Sequence, residues 1–134
     1  MIKYARILVL AAAAVVLAVA ATAQARPTRA AATIAVTEGK PSEFGFKLST
    51  KTVAHGAVTF TITNSGAIPH TFKLCSAPAK TAAANTCSGK STPQMNPGAK
   101  ATLKVTIAKA GTYEYLCTIA GHAAGGMKGI LKVT

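Results

Sequence analysis

Apolar and polar residues alternate along most of the chain after residue 33. The clearest runs are Val58, Phe60 and Ile62, and then Leu103, Val105 and Ile107. Alternation of this kind is typical of β-strands that bury one face. The same period recurs in three further segments, which are Phe44, Phe46 and Leu48, then Tyr113, Tyr115 and Cys117, and finally Leu131 with Val133. We therefore expect these side chains to lie on the buried faces of strands.

Turn residues separate the alternating runs. They occur at His55-Gly56, Asn64-Ser65-Gly66, Asn96-Pro97-Gly98 and Ala110-Gly111. No helical period is convincing after residue 34, although the polar segment 76–94 lacks a strand pattern and has room for a short helical turn. Seven or eight short antiparallel strands in about 100 residues predict an all-β fold, most simply a β-sandwich.

The amino terminus has the features of an export signal. Lys3 and Arg6 precede an uncharged, mostly apolar run at 7–23, and Ala23-Gln24-Ala25 places small residues where a signal peptidase reads. An uncleaved anchor is the alternative, because about 17 apolar residues is the lower limit for crossing a bilayer. The polar segment 26–29 favours cleavage.

This organisation predicts a signal peptide over residues 1–25, a flexible lead over 26–33 and one domain over 34–134. Cleavage near Ala25 would leave 109 of the 134 residues, which suits a single core. We expect a monomer that is periplasmic or secreted and keeps no stable membrane anchor.

The chain is strongly basic, with 15 Lys and Arg against 3 Asp and Glu. Its formal net charge of +12 would fall to about +10 without Lys3 and Arg6. Such a balance suits nucleic acid, anionic surfaces or acidic proteins. The lysines occur singly and without stacking aromatic residues between them, which argues against nucleic acid. An acidic protein partner fits better.

The strongest chemical signal lies near the carboxyl terminus. Cys117, His122 and Met127 stand five residues apart, at the end of a strand pattern and in the glycine-rich segment that follows. A thiolate donates strongly, an imidazole suits both oxidation states of copper, and a thioether is a weak donor. Two His, one Cys and a weak axial Met form the blue-copper ligand set. A second His is therefore required.

Two other histidines are available for that role. His70 follows the Asn64-Ser65-Gly66 turn, and Pro69 stiffens its approach. His55 lies in a bare turn between two strand patterns, where a solvated loop residue is the simpler interpretation. His70 is the better candidate.

Each candidate ligand also has an ordinary structural interpretation. A Cys and a Met at strand ends often only fill a core, and a His in a glycine-rich loop is often only solvated. Taken together, and with no charged residue between 115 and 127, they favour copper.

These two segments together resemble the cupredoxins, the family of plastocyanin, azurin and pseudoazurin. The first segment reads Asn-x-Gly-x-x-Pro-His-x-Phe from Asn64 to Phe72, and the resemblance extends over about residues 34–134. It implies a Greek-key β-sandwich with one type 1 copper ion near one end. It also implies His70, Cys117 and His122 as equatorial ligands and Met127 as the axial ligand.

Some details depart from well-known members of that family. The step from Cys117 to His122 is like azurin, whereas the step from His122 to Met127 is like plastocyanin. Thr71 stands where relatives often have Asn. In the family, the backbone N–H at that position donates to the copper-bound sulfur, and its side chain ties two ligand loops together. We expect Thr71 to keep the first role and to achieve the second through a hydroxyl bond to Thr118.

The chain has three cysteines, an odd number for an oxidising compartment. With Cys117 on copper, Cys75 and Cys87 remain to form a disulfide. The rival interpretation, that one of them binds metal, is weaker because neither has a His close by in sequence.

Copper in this ligand set has no open position for a substrate, so we expect a one-electron carrier between redox partners and not an enzyme. A periplasmic or extracellular copper carrier or buffer is the alternative, and a structural module without metal is a further one. By resemblance, His122 would reach the surface through an apolar patch that contacts an acidic redox protein. The candidate patch residues are Ile119, Ala120, Ala123, Ala124, Met95 and Pro97.

Overall fold

The computed structural model describes residues 30–82 and 86–134, and these form nine β-strands. The predicted signal peptide lies outside the described residues. No helix within the two described ranges is long and apolar enough to cross a membrane. The strands are β1 (Ala32–Glu38), β2 (Phe46–Leu48), β3 (Thr52–Val53), β4 (Gly56–Asn64), β5 (Lys73–Pro78), β6 (Gly89–Ser91), β7 (Lys100–Ile107), β8 (Gly111–Leu116) and β9 (Lys128–Val133).

The strands form two sheets, in the orders β2-β1-β4-β7 and β3-β9-β8-β5-β6. The predicted all-β sandwich is confirmed. The prediction of purely antiparallel pairing is wrong at two places, because β1 runs parallel to β4 and β3 runs parallel to β9. Alternation identifies the buried face of a strand, but it carries no information on the direction of the neighbouring strand.

Most of the alternating residues form the core as predicted, and Phe46, Leu48 and Val105 are partly buried against it. Val58, Phe60 and Ile62 of β4 are buried, and the other sheet contributes buried Tyr115 and Leu131. Burying one side chain of this size contributes about 1.5–3 kcal/mol relative to leaving it in water. The two sheets therefore share one core.

Phe44 is the exception, because it lies outside the strands and 42% of its surface is exposed. The chain leaves β1 at Gly39, which has a φ of 74°, and Gly39 N–H donates to Gly45 O at 2.9 Å. These contacts close a loop over residues 39–45, so β2 begins only at Phe46. The alternating pattern had predicted Phe44 to be buried.

The polar segment 76–94 also differs from the prediction. Its described part contains no helical turn but the end of β5 and the short strand β6. β6 pairs with β5 through Cys75 and Gly89, and Ser76 N–H donates to Ser88 O at 2.8 Å. A three-residue strand is too short to show an alternating pattern.

The topology brings two connections to the same end of the sandwich. β5 pairs antiparallel with β8, and Lys73 at the start of β5 lies opposite Leu116 at the end of β8. The segment before β5 and the segment after β8 are therefore neighbours in space. They carry His70 and Cys117 respectively.

Candidate metal centre

Asn64 organises the segment that carries His70. Its buried side chain accepts a hydrogen bond from Gly66 N at 2.9 Å and donates to Ile68 O at 2.9 Å and Met95 O at 2.8 Å. His70 also pairs with Met95 through two backbone hydrogen bonds, His70 N to Met95 O at 3.0 Å and Met95 N to His70 O at 2.8 Å. These hydrogen bonds fix the backbone that carries the fully buried imidazole of His70.

Hydrogen bonds within the β8–β9 connection gather the other three candidate residues. Cys117 N donates to Met127 O at 3.0 Å, and Met127 N donates to His122 O at 2.9 Å. Gly121 and Gly126 allow the chain to fold back, since their φ angles of 83° and 110° disfavour other residues. Cys117 and Met127 are buried, and His122 is partly exposed.

Thr71 joins the two segments as the sequence predicted. Its backbone N–H donates to Cys117 Sγ at 3.4 Å. Its hydroxyl lies 2.9 Å from Thr118 Oγ1 and accepts a hydrogen bond from Thr118 N at 2.7 Å. A second contact runs from Thr71 Oγ1 to the sulfur at 3.5 Å. The threonine thus performs both roles that were expected of this position.

Three donor atoms converge at this end of the sandwich. His70 Nδ1 lies 3.2 Å from His122 Nδ1, and Cys117 Sγ lies 3.5 Å from that same nitrogen. The ligand atoms of the three residues all lie within 4.8 Å of one another. No other such group of three converges within residues 30–82 and 86–134. One sulfur and two imidazole nitrogens suit copper, so the donor set fits the metal that the sequence predicted.

The electrostatic environment keeps His122 available for a metal. Burial lowers the pKa of His122, and the neighbouring His70 lowers it further. The neutral imidazole, which binds metal through a lone pair, is therefore favoured. The His122 ring also packs edge-to-face on Phe44, with 5.0 Å between ring centroids and 67° between planes.

Glu43 is a further part of this site that the sequence analysis did not identify. Its carboxylate lies 2.9 Å from His70 Nε2. A hydrogen bond from Ala67 N–H, and then the one from His70, hold the pKa of Glu43 below its usual range. One signal could have drawn attention to Glu43, since it is one of only three acidic residues in the chain.

The remaining cysteines and histidine lie where the sequence placed them. Cys75 and Cys87 form a disulfide with 5.6 Å between their Cα atoms, and Cys117 remains free. His55 lies on the surface with its Nδ1 2.9 Å from Thr134 O, away from the three converging donors. The fold and the donor set together define the class of a small cupredoxin-type copper protein.

Comparisons with known proteins agree with this class. The profile of the family described as copper binding proteins, plastocyanin/azurin family, matches residues 32–134. The chain belongs to this copper-binding family, and its cofactor is copper. No curated protein sequence matches the chain significantly.

Several solved structures share the fold. Auracyanin B is 25% identical with a TM-score of 0.65, and the alignment covers 78% of this chain and 89% of that one. Auracyanin A, a blue copper protein from Chloroflexus aurantiacus, is 27% identical with a TM-score of 0.59 over 76% of this chain and 98% of that one. Rusticyanin from Thiobacillus ferrooxidans shares the fold at 23% identity, with a TM-score of 0.58 over 76% of each chain.

Proposed function

We propose that this protein is an exported one-electron carrier with a single type 1 copper ion. His70, Cys117 and His122 are the equatorial ligands, and Met127 is the weak axial ligand. The observation that carries the proposal is the convergence of two imidazole nitrogens and one cysteine sulfur within 4.8 Å at a largely buried position. Bound copper would supply reversible exchange of one electron.

Electron exchange is favoured over a looser copper-handling site because the ligands are held by the protein itself. The backbone of Met127 bonds to both Cys117 and His122, and Thr71 joins their loop to His70. None of these hydrogen bonds requires a metal. A site fixed in this way needs little rearrangement when the oxidation state changes.

The region around His122 is suited to contact with a partner. Residues 118–127 contain no Lys, Arg, Asp or Glu. Ala120, Ala124 and Phe44 are exposed beside the partly exposed His122. Met95 and Ala123, which the sequence had suggested for this surface, are buried instead. We define the docking patch as Phe44, Ala120, His122 and Ala124.

The charge of the surface supports an acidic redox protein as the partner. Glu38 and Glu114 are buried, and the carboxylate of Glu43 bonds to His70. The acidic residues therefore contribute little negative charge to the surface. The lysines then make the electrostatic potential of the surface positive. Such a potential attracts an acidic protein and increases the rate of encounter.

Export is supported by two features. The apolar run at 7–23 precedes a small-residue cleavage site. The Cys75–Cys87 disulfide is characteristic of an oxidising compartment. We therefore infer that the mature protein is periplasmic or secreted.

The thiolate ligand is tested with Cys117→Ser. Oxidised, copper-loaded wild-type protein should be intensely blue or green from sulfur-to-copper charge transfer. The variant should lose this absorption while keeping its β-rich circular dichroism, since a hydroxyl is a poor copper donor. A variant that retained the band would exclude Cys117 as the ligand.

The electron-transfer role is tested by placing one negative charge at two positions. Ala120→Glu lies in the docking patch, and Ala108→Glu is an exposed control beyond the far end of β7. The first should slow electron exchange with a redox protein more than the second, at equal net charge and copper content. If both variants exchange electrons alike while copper passes readily to a metal-free acceptor, the copper-carrier alternative replaces this proposal.

A further inference from the structure

Glu43 and Phe44 are adjacent residues of the 39–45 loop, and each contacts a different histidine of the site. Glu43 bonds to His70, and Phe44 packs against His122. We propose that Glu43 is a positioning residue for the copper site, which fixes the orientation of His70 and strengthens it as a donor. This inference rests on the ligand set given under the proposed function.

The hydrogen bond defines which nitrogen of His70 faces the metal position. An ionised carboxylate only accepts hydrogen bonds, so His70 Nε2 must carry the proton in the 2.9 Å contact with Glu43 Oε1. The neutral ring then has its lone pair on Nδ1. That atom is the one that lies 3.2 Å from His122 Nδ1. Glu43 therefore selects the tautomer that a copper ion needs.

The carboxylate is itself held in place by the backbone. Ala67 N–H lies 3.0 Å from both carboxylate oxygens, and Ile68 N–H lies 3.2 Å from Oε1. These donors belong to the same segment that leads into His70. The carboxylate, the backbone and the imidazole thus form one hydrogen-bonded unit.

Gly66 leaves the space that this unit occupies. A Cβ atom at residue 66 would collide with Glu43 Oε1 and would lie 2.8 Å from His70 Nε2. Gly66 does not adopt a positive φ, so its backbone conformation is open to other residues. Glycine is required here because an added Cβ would crowd both the Glu43 carboxylate and the His70 ring, so a substitution disturbs their contact without removing a charge.

A carboxylate on the outer nitrogen of a ligating histidine raises the basicity of the ligand, and losing such a partner typically weakens metal binding by about 10–100-fold. A stronger donor with a nearby negative charge stabilises Cu(II) more than Cu(I). Loss of Glu43 should therefore raise the reduction potential. A tenfold loss of Cu(II) affinity with unchanged Cu(I) affinity corresponds to about 59 mV.

The experiment compares three variants of the full mature chain. Glu43→Gln removes the charge with little change in size. Gly66→Ala keeps the charge but crowds both the carboxylate and the His70 ring, so it reports on their contact together with any displacement of the ring. Thr52→Lys raises the net charge by one, as Glu43→Gln does, but on an exposed residue of β3 that lies far from the site. Copper affinity, reduction potential and the visible spectrum are measured for each.

Both site variants should lose about tenfold or more in Cu(II) affinity and should show a raised potential, whereas Thr52→Lys should stay close to wild type. The proposal is overturned if Glu43→Gln behaves like Thr52→Lys, whatever Gly66→Ala does. Nitrogen-15 NMR of the copper-free wild type gives a test that needs no variant. It should find the His70 proton on Nε2, and a proton on Nδ1 would overturn the proposal.

These outcomes separate the inference from the proposed function. If wild-type protein binds copper and shows the charge-transfer band but Glu43→Gln is unchanged, only the role of Glu43 fails. If the wild type shows no such band, the ligand set itself is wrong.

Discussion

Glu38 shows how one residue can make the stability of this protein depend on pH. It follows Ile34 and Val36 along the inward face of β1 and is fully buried. Its carboxylate oxygens have no hydrogen-bond partner among the described residues. Burial raises the pKa of Glu38 from 4.5 to about 7, because the charged form is poorly solvated there.

The folded protein therefore binds this proton more tightly than the unfolded chain does. Its contribution to stability is fully present below about pH 4.5 and is lost as pH rises to about 7, for a total of about 3 kcal/mol. Denaturant unfolding of copper-free wild type and Glu38→Gln should show a smaller loss of stability between pH 5 and 8 in the variant. Equal losses in both proteins would contradict the raised pKa.

At the same scale, the sequence identified the candidate ligands but not the residues that hold them in place. Cys117, His122 and Met127 lie within one short segment, so their residue types and spacing are enough to predict a metal site. Glu43 reaches His70 from 27 positions earlier in the chain, through a loop with no motif of its own. The prediction that Phe44 is buried is wrong because Phe44 extends the alternation of Phe46 and Leu48 to a position before the start of β2.

Among the structural elements, the two loops that carry the ligands depend on Thr71. Its hydroxyl accepts the hydrogen bond of Thr118 N, and its own backbone donates to Cys117 Sγ. The contact between His70 Nδ1 and His122 Nδ1 also joins these two segments, but it involves the candidate ligands themselves. Removing the hydroxyl should therefore loosen the site without removing a ligand.

Thr71→Val keeps the shape of the side chain and leaves Thr118 N without its acceptor. We expect unfolding free energy to fall by about 1–2 kcal/mol, the usual cost of an unsatisfied polar group. The charge-transfer band should also shift, because the hydroxyl contact with the thiolate is lost. Thr71→Ser retains the hydroxyl and serves as the control. Equal stability and equal spectra for Val and Ser would show that the link is unimportant.

The elements themselves were predictable wherever their pattern was local. β4 and β7 show clean alternation and were identified, whereas β3 and β6 have two and three residues and no period to detect. The parallel pairs β1–β4 and β3–β9 join segments that are distant in sequence. Which strands meet across a sheet is decided by the packing of the whole core, so alternation within one segment does not encode it.

For the whole molecule, the dominant property is the positive charge of +12 on the full chain. Electron transfer to small complexes of opposite charge should reveal it. The reduced protein should react with anionic hexacyanoferrate(III) more slowly as salt rises, because attraction is screened. Its reaction with cationic tris(phenanthroline)cobalt(III) should become faster over the same range, because repulsion is screened.

The Debye length falls from about 10 Å at 0.1 M to about 3 Å at 1 M salt, so the two stopped-flow rates should change clearly and in opposite directions over that range. The two probes serve as controls for each other, since effects of salt on the copper site itself would move both rates in one direction. Parallel changes would show that net charge does not control the encounter.

The adjacency of Glu43 and Phe44 also restricts how this protein can change in evolution. The loop over residues 39–45 is anchored at both ends, by Gly39 packed against the backbone of Gly66 and by the pairing of β1 with β2. Inserting or deleting one residue between those anchors would move the carboxylate away from His70 and the aromatic ring away from His122 together. Surface loops usually tolerate length variation well, but descendants of this sequence should preserve the length of this one.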